Sequence, residues 1–242
     1  MNADQLQALG PQFTAFLQPF EPYFDYGRDA VLCQVEASLE RLGRDRLDLV
    51  FVHDIGALTH GAAHGMRFAE ALGGAFPALS ELQAQGVVGA VGIGVNEVAV
   101  CLETIGRVDL DVILLAGRYT LLDPSAAEVL LPLCRARGVR VIVGGPYNSG
   151  ILAGGAHYDY AAAPPAVVER TRLLKSACAA HGVALEAAAL HYPLRHPAVV
   201  SVIPGAQSVS EVTANLRHFA NPPPEVLWTS LAADGLIPGP AA

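Results

Sequence analysis

The sequence predicts an α/β fold in which a parallel sheet curves into a (β/α) barrel. Five short runs rich in Val, Ile and Leu are typical of parallel strands buried on both faces: residues 47–52, 87–95, 110–115, 139–143 and 199–203. Most of these runs precede a helix-like stretch, and each ends in polar or glycine-rich residues. A barrel collects such residues at one rim, where it keeps its chemistry. A closed barrel needs about eight strands, so five runs predict an incomplete one.

The bulk composition predicts one domain, residues 1–242, that binds neither nucleic acid nor membrane. The chain is 52% hydrophobic and 16% charged, and its net charge of −8 disfavours partners that reward Lys and Arg. No signal peptide or membrane-length apolar run is visible, and the four cysteines form no C-x-x-C pair. We therefore expect a cytoplasmic protein with free thiols, an irregular segment at 1–27 and a Pro/Ala-rich tail at 221–242.

Helical periodicity predicts the elements between the runs. Val31, Val35 and Leu39 share one face of a first helix, which Gly43 is placed to end. The other helices are expected near 76–85, 97–105, 165–180, 184–192 and 208–219.

Two glycine-containing connections, 56–74 and 144–164, are expected to be long loops. Asp123 and Pro124 form a good N-cap and N1 pair for a helix that runs to Gly138. Pro132 within it predicts either a kink or a helix that begins later.

His53 is the strongest single candidate for catalysis. It directly follows the first apolar run, so its imidazole lies at the rim, where it can donate to or polarise a carbonyl. The alternative is a histidine that merely hydrogen-bonds at the end of a strand. Asp54 either orients His53 or caps the loop. His60 and His64 add no third metal ligand at a diagnostic spacing, so no metal site is predicted.

The glycines of the second run do not form a dinucleotide fingerprint. Their spacing is G-x-x-G-x-G, the reverse of G-x-G-x-x-G, and they lie within the strand. Small residues there leave room for a ligand or a close neighbour. Asn96, just beyond them, carries an amide that can both donate and accept.

The last two runs are followed by candidate anion sites. Glycines and a hydroxyl at 145–150 can surround a phosphate with backbone N–H groups, although an ordinary flexible loop is the alternative. The turn at 203–208 precedes a helix, whose dipole and free N–H groups favour an anion.

These residues together resemble the aldo-keto reductase family, in particular its branch of NAD-linked aldose dehydrogenases such as L-fucose, D-threo-aldose and pyridoxal dehydrogenases. The similarity runs from about residue 20 to residue 237. The segments that carry it are 24–26, 38–43, 46–54, 91–97, 119–123, 147–152 and 202–206.

The resemblance implies a (β/α)8 TIM barrel that binds a nicotinamide cofactor without a Rossmann domain and moves hydride to or from a carbonyl or alcohol carbon. It implies that His53 orients the substrate oxygen. The implied cofactor residues are Asn96 at the carboxamide, Tyr119, the pyrophosphate loop Gly145, Pro146, Tyr147, Asn148, Ser149 and Gly150, the adenosine loop Ile203, Pro204, Gly205, Ala206 and Gln207, and Asn215 at the adenine.

Two departures from the family pattern shape the expected function. Gln207 stands where many relatives place Arg or Lys on the 2′-phosphate, so NAD is expected over NADP. The family's catalytic Tyr lies on the helix after its second strand, and its Asp and Lys lie at the ends of the second and third strands. All three precede the strand that the first run here matches. We therefore expect an N-terminally truncated aldose or small-aldehyde dehydrogenase with impaired activity, since Tyr26, Tyr119 and Tyr147 are the only nearby substitutes. The alternative is a remnant that binds a nucleotide, or another chain through its open barrel edges.

Overall fold

The computed structural model describes residues 23–239. The irregular segment expected at 1–27 lies outside these residues except for 23–27, which contain no helix or strand.

All five predicted strands are confirmed, and they form one parallel sheet. They are β1 (Leu47–His53), β2 (Val88–Val95), β3 (Val112–Ala116), β4 (Arg140–Gly144) and β7 (Val199–Ile203), in the spatial order β1-β2-β3-β4-β7. A separate antiparallel pair consists of β5 (His157–Tyr158) and β6 (Ala161–Ala162). Within the described part of the chain, β1 and β7 each have one neighbour, so the sheet is open at both edges.

Helices lie between the strands, and the helix predicted to end at Gly43 and those predicted near 76–85, 97–105, 165–180, 184–192 and 208–219 are confirmed. They are α1 (Arg28–Leu42), α2 (Ala57–His60), α3 (His64–Glu70), α4 (Phe76–Ala84), α5 (Val98–Ile105), α6 (Leu130–Arg137), α7 (Pro165–Ala180), α8 (Leu185–His191), α9 (Val209–Phe219) and α10 (Glu225–Ala233). Helix α1 ends at Gly43, whose φ of 60° is the left-handed conformation that glycine adopts most easily.

The loop predicted at 56–74 is wrong, because most of this segment is helical. It contains α2, α3 and the first part of a π-helical turn at Ala71–Ala75. Phe68, Ala71 and Ala75 are buried in the core, and this burial outweighs the low helix propensity of the glycines. Gly74 lies so close to Tyr26 that a Cβ there would be 2.5 Å from the Tyr26 carbonyl oxygen.

The helix start predicted at Asp123 and Pro124 is also wrong. Asp123 accepts a bond from the backbone N–H of Ser125 and another from Arg118, so it closes a turn. Helix α6 begins at Leu130, which confirms the alternative of a later start. Pro132 then lies in the first turn, where its missing N–H costs no intrahelical bond.

The predicted loop at 144–164 and the Pro/Ala-rich tail at 221–242 both contain regular structure. The tail at 221–242 contains α10, whose Leu227, Trp228 and Leu231 are buried in the core. The segment at 144–164 contains a 3₁₀ turn at Ile151–Ala153 and the β5–β6 hairpin. Asp159 and Tyr160 turn that hairpin with φ values of 47° and 65°, the backbone of a two-residue hairpin loop.

The core lies between the sheet and its helices, and the inner strands are the most buried. Ile113 and Val141 have no exposed surface, whereas Leu49 on β1 and Val200 on β7 are 44% and 50% exposed. Within residues 23–239, no single helix is long and apolar enough to cross a membrane. In this range, one pair of helices, Pro165–Ala180 and Leu185–Arg195, bent by 99°, meets that length and composition together.

Candidate active site at the carboxyl ends of the strands

The parallel sheet brings most of the predicted site residues to one edge. His53 lies opposite Gly94 in the β1–β2 register, and Gly144 lies opposite Ile203 in the β4–β7 register. Backbone bonds continue this edge beyond the strands, since Gly145 N–H donates to the Ile203 carbonyl over 3.1 Å. The corners after β1, β2, β4 and β7 therefore share one rim.

His53 ends β1 with an imidazole whose exposed fraction is 60%. Its Nδ1 lies 3.2 Å from Oδ2 of Asp54. The bond to this carboxylate raises the pKa of His53 against the opposing effect of burial. The geometry therefore favours the orienting role for Asp54. With Nδ1 directed at Asp54, Nε2 is the ring nitrogen left for a ligand.

Glycines of β2 make room for this histidine and for the neighbouring strand. A Cβ on Gly94 would lie 2.7 Å from Cδ2 and 2.9 Å from Nε2 of His53. A Cβ on Gly92 would lie 2.1 Å from the carbonyl oxygen of Val112 on β3. The expectation of close neighbours at these glycines is confirmed.

The backbone of the His53–Asp54 corner is held by Tyr26, a contact that the sequence did not predict. The Tyr26 hydroxyl lies 3.0 Å from the carbonyl oxygen of His53, 3.1 Å from that of Asp54 and 2.8 Å from Nε2 of His60. Burial, followed by the nearby Asp54 charge, raises the pKa of Tyr26. The only sequence signal for this contact was that residues 24–26 are one of the segments that carry the family resemblance.

The three histidines of this region do not converge. His60 contacts Tyr26, whereas His64 lies 3.1 Å from both the Ile55 carbonyl oxygen and the Glu103 carboxylate. Within the described ranges, no group of three His, Cys, Asp or Glu side chains is arranged to hold a metal ion.

Asn96, at the end of β2, is tied to the β5–β6 hairpin. Its amide nitrogen donates to the Tyr160 hydroxyl over 3.3 Å, and its backbone carbonyl accepts from Nε of Arg118 over 2.7 Å. Arg118 also bonds Asp123 and Asp159. Burial lowers the pKa of Arg118, but these two carboxylates outweigh that effect and raise it. Arg118 thus links three corners of the rim, a role that the sequence did not indicate.

Tyr119 is placed in a buried aromatic cluster. It is 7% exposed, and its ring centre lies 5.3 Å from that of Tyr192 and 6.2 Å from that of His196. Its contact with a cofactor stays a prediction.

The loop after β4 forms a tight turn. Asn148, Ser149 and Gly150 are consecutive left-handed residues, with φ values of 47°, 59° and 100°. Asn148 N–H donates to the Gly145 carbonyl, and Gly150 N–H donates to the Tyr147 carbonyl. Successive backbone N–H groups in a turn are a common way of binding an anion.

This loop has free hydrogen-bonding groups. Among the described residues, the backbone N–H groups of Tyr147 and Ser149 have no acceptor. Asn148 is 2% exposed; its amide nitrogen donates to the Gly117 carbonyl, and its Oδ1 has no partner among the residues described. A buried acceptor without a donor is costly, which suits a site that a ligand completes.

The loop after β7 is exposed to solvent. A carboxylate of the chain itself occupies the N-terminus of the helix that follows. Ile203 is 51% exposed, and residues 205–208 are exposed as well. Ser208 caps α9 by accepting from Glu211 N–H over 3.2 Å, and the Glu211 carboxylate accepts from Gln207 N–H over 2.7 Å. This variant of the capping box, in which the carboxylate bonds the residue before the N-cap, puts the chain's own negative charge at the helix N-terminus predicted to favour an anion.

Tyr147 and Asn215 connect the loop after β4 to helix α9, which follows β7. The Tyr147 hydroxyl donates to Oδ1 of Asn215 over 2.8 Å. Burial, followed by the charge of Glu186, raises the pKa of Tyr147 to about 12. Both predicted cofactor residues therefore lie at one junction of the rim.

The comparison with known families identifies this arrangement. The model described as the Aldo/keto reductase family matches residues 21–230. The chain belongs to the aldo/keto reductase family. A pyridoxal 4-dehydrogenase of Microbacterium luteolum is 41% identical over 223 residues, which are 90% of this chain and 65% of that protein. A D-threo-aldose 1-dehydrogenase of Pseudomonas sp is 35% identical over 222 residues, with the same two shares.

A solved structure supports the fold of this aldo/keto reductase. An aldo-keto reductase from Bacillus halodurans in its holo form is 25% identical, with a TM-score of 0.68 over 91% of this chain and 71% of that chain. The predicted aldo-keto reductase type of barrel is confirmed, with five of its parallel strands among the described residues. The chain spans 65% of the length of the two curated relatives.

The rim residues fit the nicotinamide nucleotides that aldo-keto reductases use. The free N–H groups of Tyr147 and Ser149 are donors for anionic oxygens, and Asn148 Oδ1 is an acceptor for a ligand amide or hydroxyl. No Rossmann element is needed for these contacts.

Proposed function

We propose that this chain provides the substrate-orienting and nucleotide-binding part of an oxidoreductase that transfers hydride between a nicotinamide cofactor and an aldose or small aldehyde. The observation that carries the proposal is the position of His53. Its imidazole is exposed at the carboxyl edge of a parallel sheet, oriented by Asp54, and shares that edge with a loop that has free N–H donors.

In this function, His53 holds the substrate oxygen. Nε2 donates to a carbonyl oxygen when the ring is protonated, and the raised pKa of His53 favours that form. The loop at 145–150 binds the nucleotide phosphates, and Asn96 positions the carboxamide of the nicotinamide. The bound cofactor supplies the hydride acceptor. Relatives that act on pyridoxal and on D-threo-aldose support a small substrate that carries an aldehyde or a hemiacetal hydroxyl.

We further propose NAD over NADP as the cofactor. Gln207 brings no positive charge to the adenosine loop, and the Glu211 carboxylate beside it brings a negative one. A 2′-phosphate there would meet like charge in place of the charge-assisted bonds that it favours, whereas a 2′-hydroxyl can donate to a carboxylate.

A second candidate function, binding without turnover, is favoured by the state of two tyrosines. The Tyr26 hydroxyl is engaged with two carbonyls and His60, and the Tyr147 hydroxyl is engaged with Asn215. Burial raises the pKa of both, which opposes a role as general base. The chain would then be a nucleotide-binding module, or would pair with another chain through the open edges of β1 and β7.

Nucleotide titration and turnover separate the two candidates. NAD binding is measured by calorimetry, and turnover is followed by the absorbance of the reduced nicotinamide with a panel of aldoses and aldehydes. His53→Ala should abolish any turnover while NAD still binds, whereas His181→Ala, on the distant end of α7, should change neither. Binding without turnover supports the second candidate. Turnover that survives both His53→Ala and Tyr147→Phe contradicts the site.

We also propose that the chain is cytoplasmic and that it self-associates. Four free cysteines, three of them buried, suit a reducing cytoplasm. The exposed apolar residues Leu49 and Val200 at the open edges favour self-association, which sedimentation over a range of concentrations would detect.

A further inference from the structure

We propose that Tyr26 is a positioning residue for His53, and that it acts by fixing the carbonyl groups of His53 and Asp54 with a hydroxyl that His60 holds in place. The catalytic consequence rests on the function proposed above for His53. The positioning itself does not, because the state of the imidazole can be measured without any cofactor or substrate.

The geometry assigns each hydrogen bond. A tyrosine hydroxyl has one proton, and the two carbonyl oxygens at 3.0 and 3.1 Å can only accept it. His60 Nε2, 2.8 Å away, then donates its proton to the Tyr26 oxygen. The His60 ring is packed perpendicular to the rings of Tyr26 and Phe24, with ring centres 5.6 and 5.0 Å away, so His60 has little freedom to turn away.

The corner needs such a brace because its backbone is unfavourable. Asp54 has a φ of 54°, a left-handed conformation that costs a residue with a Cβ free energy. Its N–H is bonded to the Gly94 carbonyl on one side, and Tyr26 bonds its carbonyl on the other. This conformation directs the Asp54 carboxylate to Nδ1 of His53. If the corner relaxed, the carboxylate would leave the imidazole.

Tyr26 is itself anchored from α3. Its backbone N–H donates to Oε1 of Glu70 over 3.3 Å, and Glu70 is paired with Arg67 over 2.8 Å. The charged or titratable groups that face this network are Asp54, Arg67 and Glu70 around Tyr26, together with Arg67, Asp54 and His64 around His60. The hydrogen bonds of Tyr26 therefore join α3 and the segment before α1 to the end of β1.

The test follows the His53 imidazole by nitrogen and proton NMR across a pH titration, with the resonance assigned from His53→Gln. Asp54→Asn should lower the pKa of His53 and remove the preference for the proton on Nδ1. Tyr26→Phe should produce at least half of that decrease and a mixed tautomer, although Asp54 is unchanged. Tyr192→Phe, which removes another buried hydroxyl, should leave the His53 titration unaltered.

His60 variants keep the proposal testable if Tyr26→Phe does not fold. His60→Leu removes the donor to the Tyr26 oxygen and should shift the His53 titration in the same direction. His60→Gln places an amide N–H near the position of Nε2 and should restore it. A folded Tyr26→Phe or His60→Leu protein with unchanged His53 pKa and tautomer overturns the positioning role. Loss of turnover with an unchanged His53 titration also overturns it, whereas absence of turnover in every variant bears only on the proposed function.

Discussion

The corner after β1 and the loops after β4 and β7 belong to the same rim but are held in different ways. At the corner, the bracing residues Tyr26 and His60 come from other elements, with Tyr26 27 positions before His53 and 34 before His60. The loops after β4 and β7 are shaped mainly within themselves, by left-handed residues at 148–150 and by the capping box of Ser208 and Glu211. Chemistry at the corner therefore depends on packing, whereas the loops depend on local backbone conformation.

The largest effect is expected from Gly94→Ala, which acts on the corner alone. The new Cβ would overlap Cδ2 and Nε2 of His53, so the imidazole must move away. A displacement of about 1 Å of a catalytic group costs on the order of 100-fold in rate. We expect a loss of that size in kcat with NAD affinity unchanged, measured by steady-state kinetics and calorimetry.

Gly65→Ala is the matched control for that variant. Gly65 lies in α3, and a Cβ there meets no atom within 4 Å. It should leave the rate unchanged and raise the free energy of unfolding slightly, because alanine favours a helix over glycine. Equal losses in both variants would show that Gly94 has no special relation to His53.

The next effect concerns the loop after β4. Asn148→Ala keeps a Cβ at a φ of 47° and removes the bond to the Gly117 carbonyl, so it should lower the free energy of unfolding by about 1–2 kcal/mol. Asn148→Gly removes the same bond but tolerates the left-handed backbone, and should cost less. Urea denaturation measures both. If Ala and Gly cost the same, backbone conformation does not shape this loop.

The same contrast explains how much the sequence could predict. Five strands were predictable because buried parallel strands need unbroken apolar runs, and α9 was predictable because Ser208 is a local signal. The helices and the π-helical turn within 56–74 could not be predicted, because the burial of Phe68 and Ala71 outweighs the low helix propensity of the glycines. The helix start at Asp123 was predicted wrongly for a similar reason, since the bond from Arg118 to the Asp123 carboxylate competes with a helix cap.

Among the site residues, those at the ends of strands could be placed at the rim from the register of a parallel sheet. His53, Asn96, Gly145 and Ile203 needed no tertiary information beyond that. The contacts of Tyr26 and Arg118 could not be predicted, because each joins residues far apart in the sequence. The contacts of Glu211 are local, and the spacing of Ser208 and Glu211 is a sequence signal for them.

A smaller effect is expected at the adenosine loop. Gln207→Arg adds a cation where a 2′-phosphate would lie, but in an exposed position, where such a pair contributes up to about 1 kcal/mol. The ratio of NADP to NAD affinity should therefore rise by about fivefold. Glu211→Gln should raise it further by removing the negative charge next to it, and Gln207→Glu serves as the opposite control. If neither charge changes the ratio of NADP to NAD affinity, this loop does not contact the 2′ position of the nucleotide.

The smallest effect is the pH dependence of stability at the corner. The folded pKa of His53 is raised by Asp54, so protonated His53 adds stability that is fully present below its unfolded pKa of about 6.5 and lost as the pH rises through the folded value. Lowered pKa values of His60 and His196, caused mainly by burial, give the opposite slope, so the whole chain does not isolate the effect. The difference in unfolding free energy between wild type and Asp54→Asn does isolate it. This difference should be greatest in mild acid and smaller in mild alkali, and it should be modest because the imidazole is 60% exposed. A difference that grows with rising pH would mean that Asp54 stabilises the corner without acting on the imidazole.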